Sequence, residues 1–169
     1  SSKMISMKLG ELPAGTRVAV DANIVLYHFT GRSSECSRFL QRARDGDLTA
    51  LMPTHIGLEL LHRLMMLEAV AVGITKSGSP AKKMSTKPDS VRKLQRSYRD
   101  FQALGKLGLK LIDTPVAALE RVTWFSMNYG LLANDAALLA VMEHEGVEHL
   151  VSSDKLLQDI APFQTWWPQ

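Results

Sequence analysis

Cysteine is almost absent from this chain of 169 residues: Cys36 stands alone. One thiol excludes an internal disulfide and suits a reducing compartment, so a cytoplasmic location is expected. No adjacent histidine or cation marks Cys36 as a nucleophile, and it reads as a small buried residue. Long apolar runs are missing too. The best candidate, residues 131–141, is too short to cross a bilayer and is interrupted by Asn134 and Asp135, so no membrane association is expected. Residues 4–12 lack the continuous apolar stretch of a secretory leader. Neither Gly-x-Gly-x-x-Gly nor a Walker sequence occurs, which argues against a nucleotide cofactor. There is no internal repeat. The simplest expectation is one domain over residues 4–169, with residues 1–3 a cloning remnant ahead of Met4.

What the chain does have is segregated charge. Its formal net charge is +3. Residues 76–99 hold Lys76, Lys82, Lys83, Lys87, Arg92, Lys93, Arg96 and Arg99 against Asp89 alone, so that window carries +7 and the remainder −4. A mildly acidic body with one strongly basic segment suits a polyanionic partner. The alternative is a solvated loop kept soluble by its lysines. Residues 74–88, rich in Ser, Lys and Pro, are expected to form a flexible basic loop.

Elsewhere, short β-branched runs alternate with amphipathic stretches. Residues 17–21, 48–52, 109–112 and 149–152 read as strands, and 163–167 as an edge strand bounded by Pro162 and Pro168. Helices are expected over 22–29, from Ser33 or Ser34 to Gly46, and over 54–72 with Thr54 as cap. Further helices are expected over 89–104, from Pro115 to about 128, over 134–145 and over 153–160. Such alternation implies an α/β fold with a central parallel sheet covered on both faces.

Four acids stand out against that outline. Asp21 closes the first strand, Asp154 follows the fourth, and Asp135 lies in the first turn of its helix. Glu59 lies one turn inside the helix after the second strand. Ligands of such folds bind beyond the carboxyl ends of the strands, where strand order reverses, so all four can reach one rim. Clustered carboxylates suit a hard divalent cation, Mg²⁺ or Mn²⁺, which can activate water and stabilise a phosphoryl transition state. Each acid has a plainer reading. Asp21 and Asp154 can cap helices, Asp135 suits a helix dipole, and Glu59 can pair with Arg63 at i,i+4.

The residues around these acids resemble the motifs of the PIN domain family. Val-Ala-Val-Asp-Ala-Asn-Ile-Val-Leu-Tyr (18–27) is similar to the first, Thr-His-Ile-Gly-Leu-Glu-Leu-Leu (54–61) to the second, and Leu-Ala-Asn-Asp-Ala-Ala-Leu-Leu-Ala (132–140) to the third. Leu-Val-Ser-Ser-Asp-Lys-Leu-Leu (150–157) is similar to the fourth, with Ser152 in its hydroxyl position. The chain departs from the family pattern in having Leu156 and Leu157 where an aromatic often follows, and in its long stretch over 65–104.

The resemblance implies a single Rossmann-like α/β/α sandwich and Mg²⁺- or Mn²⁺-dependent hydrolysis of RNA. Asp21, Glu59, Asp135 and Asp154 would be the catalytic metal ligands, with Asn23 and Ser152 in support. Chain size fits the toxin of VapBC-type toxin–antitoxin pairs, which implies a small antitoxin partner and a homodimer. Lys82, Lys83, Lys87, Arg92, Lys93 and Arg96 would grip RNA phosphates. Tyr98 and Phe101 would either stack on bases or anchor their helix. The competing reading is a catalytically silent PIN module that binds RNA or a protein. A zinc site at His55 and His62 lacks a convergent third ligand.

Overall fold

Val18, Ala19 and Val20 are all buried, so the strand they form alternates nothing: both its faces meet apolar neighbours, as in the centre of a parallel sheet. The computed structural model describes residues 7–76 and 78–169. The expectations for residues 1–3 and for a domain start at residue 4 lie outside the described residues.

Six strands form one sheet: β1 (Met7–Lys8), β2 (Arg17–Val20), β3 (Thr49–Pro53), β4 (Leu109–Ile112), β5 (His149–Val151) and β6 (Gln164–Trp167). Their order is β1-β6-β5-β2-β3-β4 and every pairing is parallel. The chain builds β2, β3 and β4 outward in one direction. It then returns to lay β5 on the other side of β2, with Val18, Ala19 and Val20 opposite His149, Leu150 and Val151. Strand order therefore reverses between β2 and β5, and a crevice opens at their carboxyl ends. The run 163–167, expected as the edge, lies inside the sheet because Met7 and Lys8 pair with Trp166 and Trp167. A two-residue strand carries too little pattern to be seen in sequence.

Eight helices accompany the sheet among the described residues: α1 (Ala22–Phe29), α2 (Ser34–Arg44), α3 (Thr54–Ala71), α4 (Pro80–Met84), α5 (Pro88–Arg92), α6 (Gln95–Gln102), α7 (Val116–Tyr129) and α8 (Ala133–Glu145). Ser33 caps α2 by accepting from the Cys36 amide at 3.3 Å. In α8 the run from Ala136 to Met142 is buried without a break, so this helix is enclosed on all sides. Gly108 turns the chain into β4 at φ 86°, and a Cβ there would lie 2.5 Å from the Arg44 amide nitrogen. Only glycine lets β4 pass that close to the end of α2.

Several local expectations yield to tertiary contacts. Thr54 begins α3 but does not cap it; its hydroxyl accepts from the Thr114 amide at 3.2 Å. The helix expected over 89–104 is broken into α5, α6 and a 3-10 turn at Leu104–Leu107. The break falls where Leu94 is drawn fully into a second small core with Ala69 and Met84. There α6 has no capping side chain of its own. Instead Glu68 of α3 accepts from the amides of Arg96 (3.2 Å) and Ser97 (2.7 Å). Within 74–88 the chain forms α4 and buries Thr75 and Met84. The expected helix at 153–160 is only a 3-10 turn, Lys155–Leu157, because Gln158 is already extended at φ −81° and ψ 151° and Asp159 follows with a left-handed φ of 59°.

Candidate active site

Asp21 follows β2 directly and is the N-cap of α1. Its amide extends the ladder to the Val151 carbonyl (3.0 Å), and its Oδ1 accepts from the Ala22 amide (2.8 Å). Its Oδ2 accepts from the Ser152 hydroxyl at 2.7 Å. Ser152, fully buried at the end of β5, uses the same oxygen to accept from the Asp154 amide at 3.0 Å. One hydroxyl thus ties two carboxylate-bearing segments together across the β2–β5 join. Asp154 in turn accepts from the Leu156 amide (2.9 Å), which closes its 3-10 turn.

The other two acids come from helices whose first turns face this join. Asp135 lies in the first turn of α8, where the helix dipole favours negative charge. Glu59 lies on the second turn of α3, and its Oε2 is buried without a hydrogen-bond partner among the described residues.

The four acids feel one another. Burial pushes Asp135 up to about 7, with further upward pressure from Asp21, Asp154 and Glu59. Burial likewise raises Glu59, helped by Asp21 and Asp154, while Arg63 opposes. Asp21 is raised by burial and by Asp154; the bonds from Ser152 and Ala22 and the charge of Arg63 act against this. Such a constellation stores repulsion that protons or cations relieve. Among the described residues no three His, Cys, Asp or Glu side chains close into a ready-made metal cage.

Two residues matter in ways the sequence did not suggest. The i,i+4 rule pairs Arg63 with Glu59, yet Arg63 donates to the side-chain oxygen of Asn23 on α1. His55, weighed as a zinc ligand, has both ring nitrogens engaged. Its Nδ1 lies 2.8 Å from the Thr114 hydroxyl, and its Nε2 lies 3.2 Å from the Asn134 carbonyl. A carbonyl only accepts, so Nε2 carries the hydrogen and Nδ1 receives that of Thr114. Burial lowers His55, consistent with a neutral ring. This ring fastens the start of α3 to the first turn of α8, and so Glu59's helix to Asp135's. The only hint in the sequence is its place in the motif around Glu59.

The basic segment is a separate feature. Lys82, Lys83, Lys87, Arg92, Lys93 and Arg96 are all exposed. Arg92 pairs with Asp89, and Arg96 lies 3.8 Å from Asp100. This segment packs against the second half of α3 around Glu68, about 13 Å along the helix from Glu59 at 1.5 Å per residue. Tyr98 donates to the Val91 carbonyl and packs on the second core, and Phe101 packs on the main one, so both serve as anchors. A groove of about 520 Å³ runs between Phe29, Leu64, Leu67, Glu68 and Arg96, and none of the four acids lines it.

Residues 18–161 match the family profile described as PIN domain. Three solved structures share the fold. VapBC2 from Rickettsia felis, bound to a DNA fragment from its promoter, is 13% identical with a TM-score of 0.61, over 90% of this chain and 98% of that one. A toxin–antitoxin complex from Klebsiella pneumoniae is 18% identical with a TM-score of 0.58, over 90% and 99%. VapC20 from Mycobacterium tuberculosis, a toxin that cleaves the sarcin–ricin loop, is 11% identical with a TM-score of 0.54, over 82% and 90%. No curated protein matches the sequence.

Proposed function

This chain belongs to the PIN domain family, and from that premise we propose that it is a divalent-metal-dependent endoribonuclease, the toxin of a toxin–antitoxin pair. The observation that carries the reading is the buried, partnerless Oε2 of Glu59 among three further acids, one of them raised to about 7. Buried polar atoms without partners are uncommon, and four repelling carboxylates serve no core.

The donor set fits Mg²⁺ or Mn²⁺. Such ions keep several waters and take only one or two protein carboxylates each, so a closed protein cage is not required. Asp21, Asp135 and Asp154 would hold the ion, with Glu59 as a further ligand or as the group that orients the attacking water. When bound, a hard divalent ion lowers the pKa of water and neutralises charge on the phosphoryl oxygens.

The protein's own contribution is positioning. Ser152 fixes the Asp21 carboxylate through one lone pair and leaves others free. His55 holds the first turns of α3 and α8 at a set separation. The exposed lysines and arginines of 82–96 grip phosphates of a longer RNA outside the crevice, a salt-sensitive and sequence-tolerant contact.

The toxin assignment draws on the VapBC and VapC relatives above. An antitoxin and a second copy of the chain are its expected partners. The exposed apolar side chains Val116, Leu119, Met127 and Leu132 on and just after α7 suit such contacts.

The deciding experiment is cleavage of mixed fluorescent RNA and DNA oligonucleotides with Mn²⁺, Mg²⁺ or EDTA, comparing the wild type with Asp21→Asn. RNA cleavage that needs metal and disappears in the variant supports the reading. Absence of cleavage by wild type with metal bound, across substrates and pH, turns it toward a silent binding module.

A further inference from the structure

We propose that Arg63 is a substrate-phosphate clamp, held at the mouth of the acidic crevice by Asn23 and reserved for a phosphate beside the scissile bond. This rests on the nuclease reading above. A crevice walled by four carboxylates repels the polyanion it is meant to receive, and metal offsets that repulsion only at the ion itself. Some fixed cation near the acids is therefore needed. The lysines and arginines of 82–96 are poor candidates, since they gather at the far half of α3.

Arg63 stands one turn after Glu59 on α3, and its guanidinium meets Asn23, two residues after Asp21 on α1. It thus bridges the two helices that carry these acids. Its charge is the one that reaches both Asp21 and Glu59.

The choice of partner is the telling feature. A cation placed to neutralise the site would pair with Glu59, four residues earlier on the same helix face and with an oxygen to spare. Arg63 passes over that carboxylate and donates to a neutral amide oxygen instead. Among the described residues it makes no ion pair, and it is exposed. Guanidinium has five donors in a planar fork, so a single bond to Asn23 orients it and leaves a pair of N–H groups for a phosphate.

The test measures two equilibria and one rate. RNA binding is followed by fluorescence anisotropy across a salt series, in an Asp135→Asn background that blocks cleavage, with and without Arg63→Ala. Mn²⁺ affinity is measured by electron paramagnetic resonance in the otherwise wild-type protein and in Arg63→Ala. Loss of one phosphate contact reduces the slope of log affinity against log salt by roughly 1, while Mn²⁺ affinity holds or rises, because a positive charge has been taken from beside Asp21 and Glu59. Cleavage by Arg63→Ala falls roughly 100-fold, and Arg63→Lys recovers only part, lacking the fork.

An unchanged salt slope overturns the proposal whatever happens to cleavage. So does a fall in Mn²⁺ affinity, which makes Arg63 a support for the geometry of the acids rather than a contact for phosphate. If the wild type cleaves no RNA, the nuclease reading fails, while the salt slope still decides the role of Arg63.

Discussion

The hydroxyl of Ser152 donates to Oδ2 of Asp21 at 2.7 Å, joining the ends of two neighbouring parallel strands at a fully buried position. Ser152→Ala removes that donor and leaves a buried carboxylate oxygen and the Asp154 amide short of a partner. The cost is about 1–3 kcal/mol, read by urea unfolding. Because the bond from Ser152 holds Asp21 down, the variant's Asp21 rises further. The acid limb of its cleavage profile then moves to higher pH. An unshifted limb in a folded variant separates Ser152 from the ionisation of Asp21.

Asp135 gives the metal-free protein an inverted response to acid. Its folded value of about 7 lies above the ordinary 3.8. Between those values the folded chain retains a proton that the unfolded chain has released, so rising pH favours unfolding. Asp21 and Glu59 act in the same direction. In EDTA the melting temperature therefore falls as pH climbs from about 4 to about 7. Excess Mg²⁺ restores it above that range by binding the folded state. Asp135→Asn flattens the profile and melts higher than wild type in EDTA near pH 8. Scanning fluorimetry across the range checks all three outcomes.

His55 is expected to behave as a positioning residue. His55→Ala frees the Asn134 carbonyl and the Thr114 hydroxyl and costs about 1–3 kcal/mol. Cleavage falls with it, because α8 no longer holds Asp135 at a fixed distance from α3. His55→Gln, which can donate to the same carbonyl, regains part of the loss. Amide hydrogen exchange localises the effect: faster exchange is expected in the first turn of α8, with β2 and β5 unchanged.

Glu68 anchors the basic segment from outside it. Glu68→Ala uncaps α6 and costs about 0.5–2 kcal/mol, the range for loss of an N-cap. The first consequence is local: limited proteolysis cuts faster within 78–99 than in wild type. RNA affinity at low salt declines, while cleavage of a dinucleotide too short to reach the segment is unaffected. Equal loss on both substrates would tie Glu68 to the crevice instead.

Legibility from sequence followed the range of the forces involved. The central strand was visible because Val18, Ala19 and Val20 are buried on both faces and need no alternation. Asp21 and Asp154 stood out because each follows such a run, Glu59 because it sits early in a helix with an apolar face over Ile56, Leu60 and Leu64, and Asp135 because it opens a nearly unbroken apolar helix. The hidden parts were decided across the fold. Leu94 and Glu68 break a helix that local propensity alone would continue. Arg63 follows Asn23 on another helix rather than the nearer acid. No local rule ranks those partners, since the bond depends on how α1 packs against α3.

The return of β5 to the side of β2 also sets a timetable. Asp21 is among the first residues of the fold to be synthesised and Asp154 among the last, yet they belong to one crevice. An emerging chain that has not yet added β5 owns neither the fourth acid nor the Ser152 hydroxyl, so its crevice is incomplete. On the proposed ribonuclease reading, strand order alone withholds activity until β5 is in place.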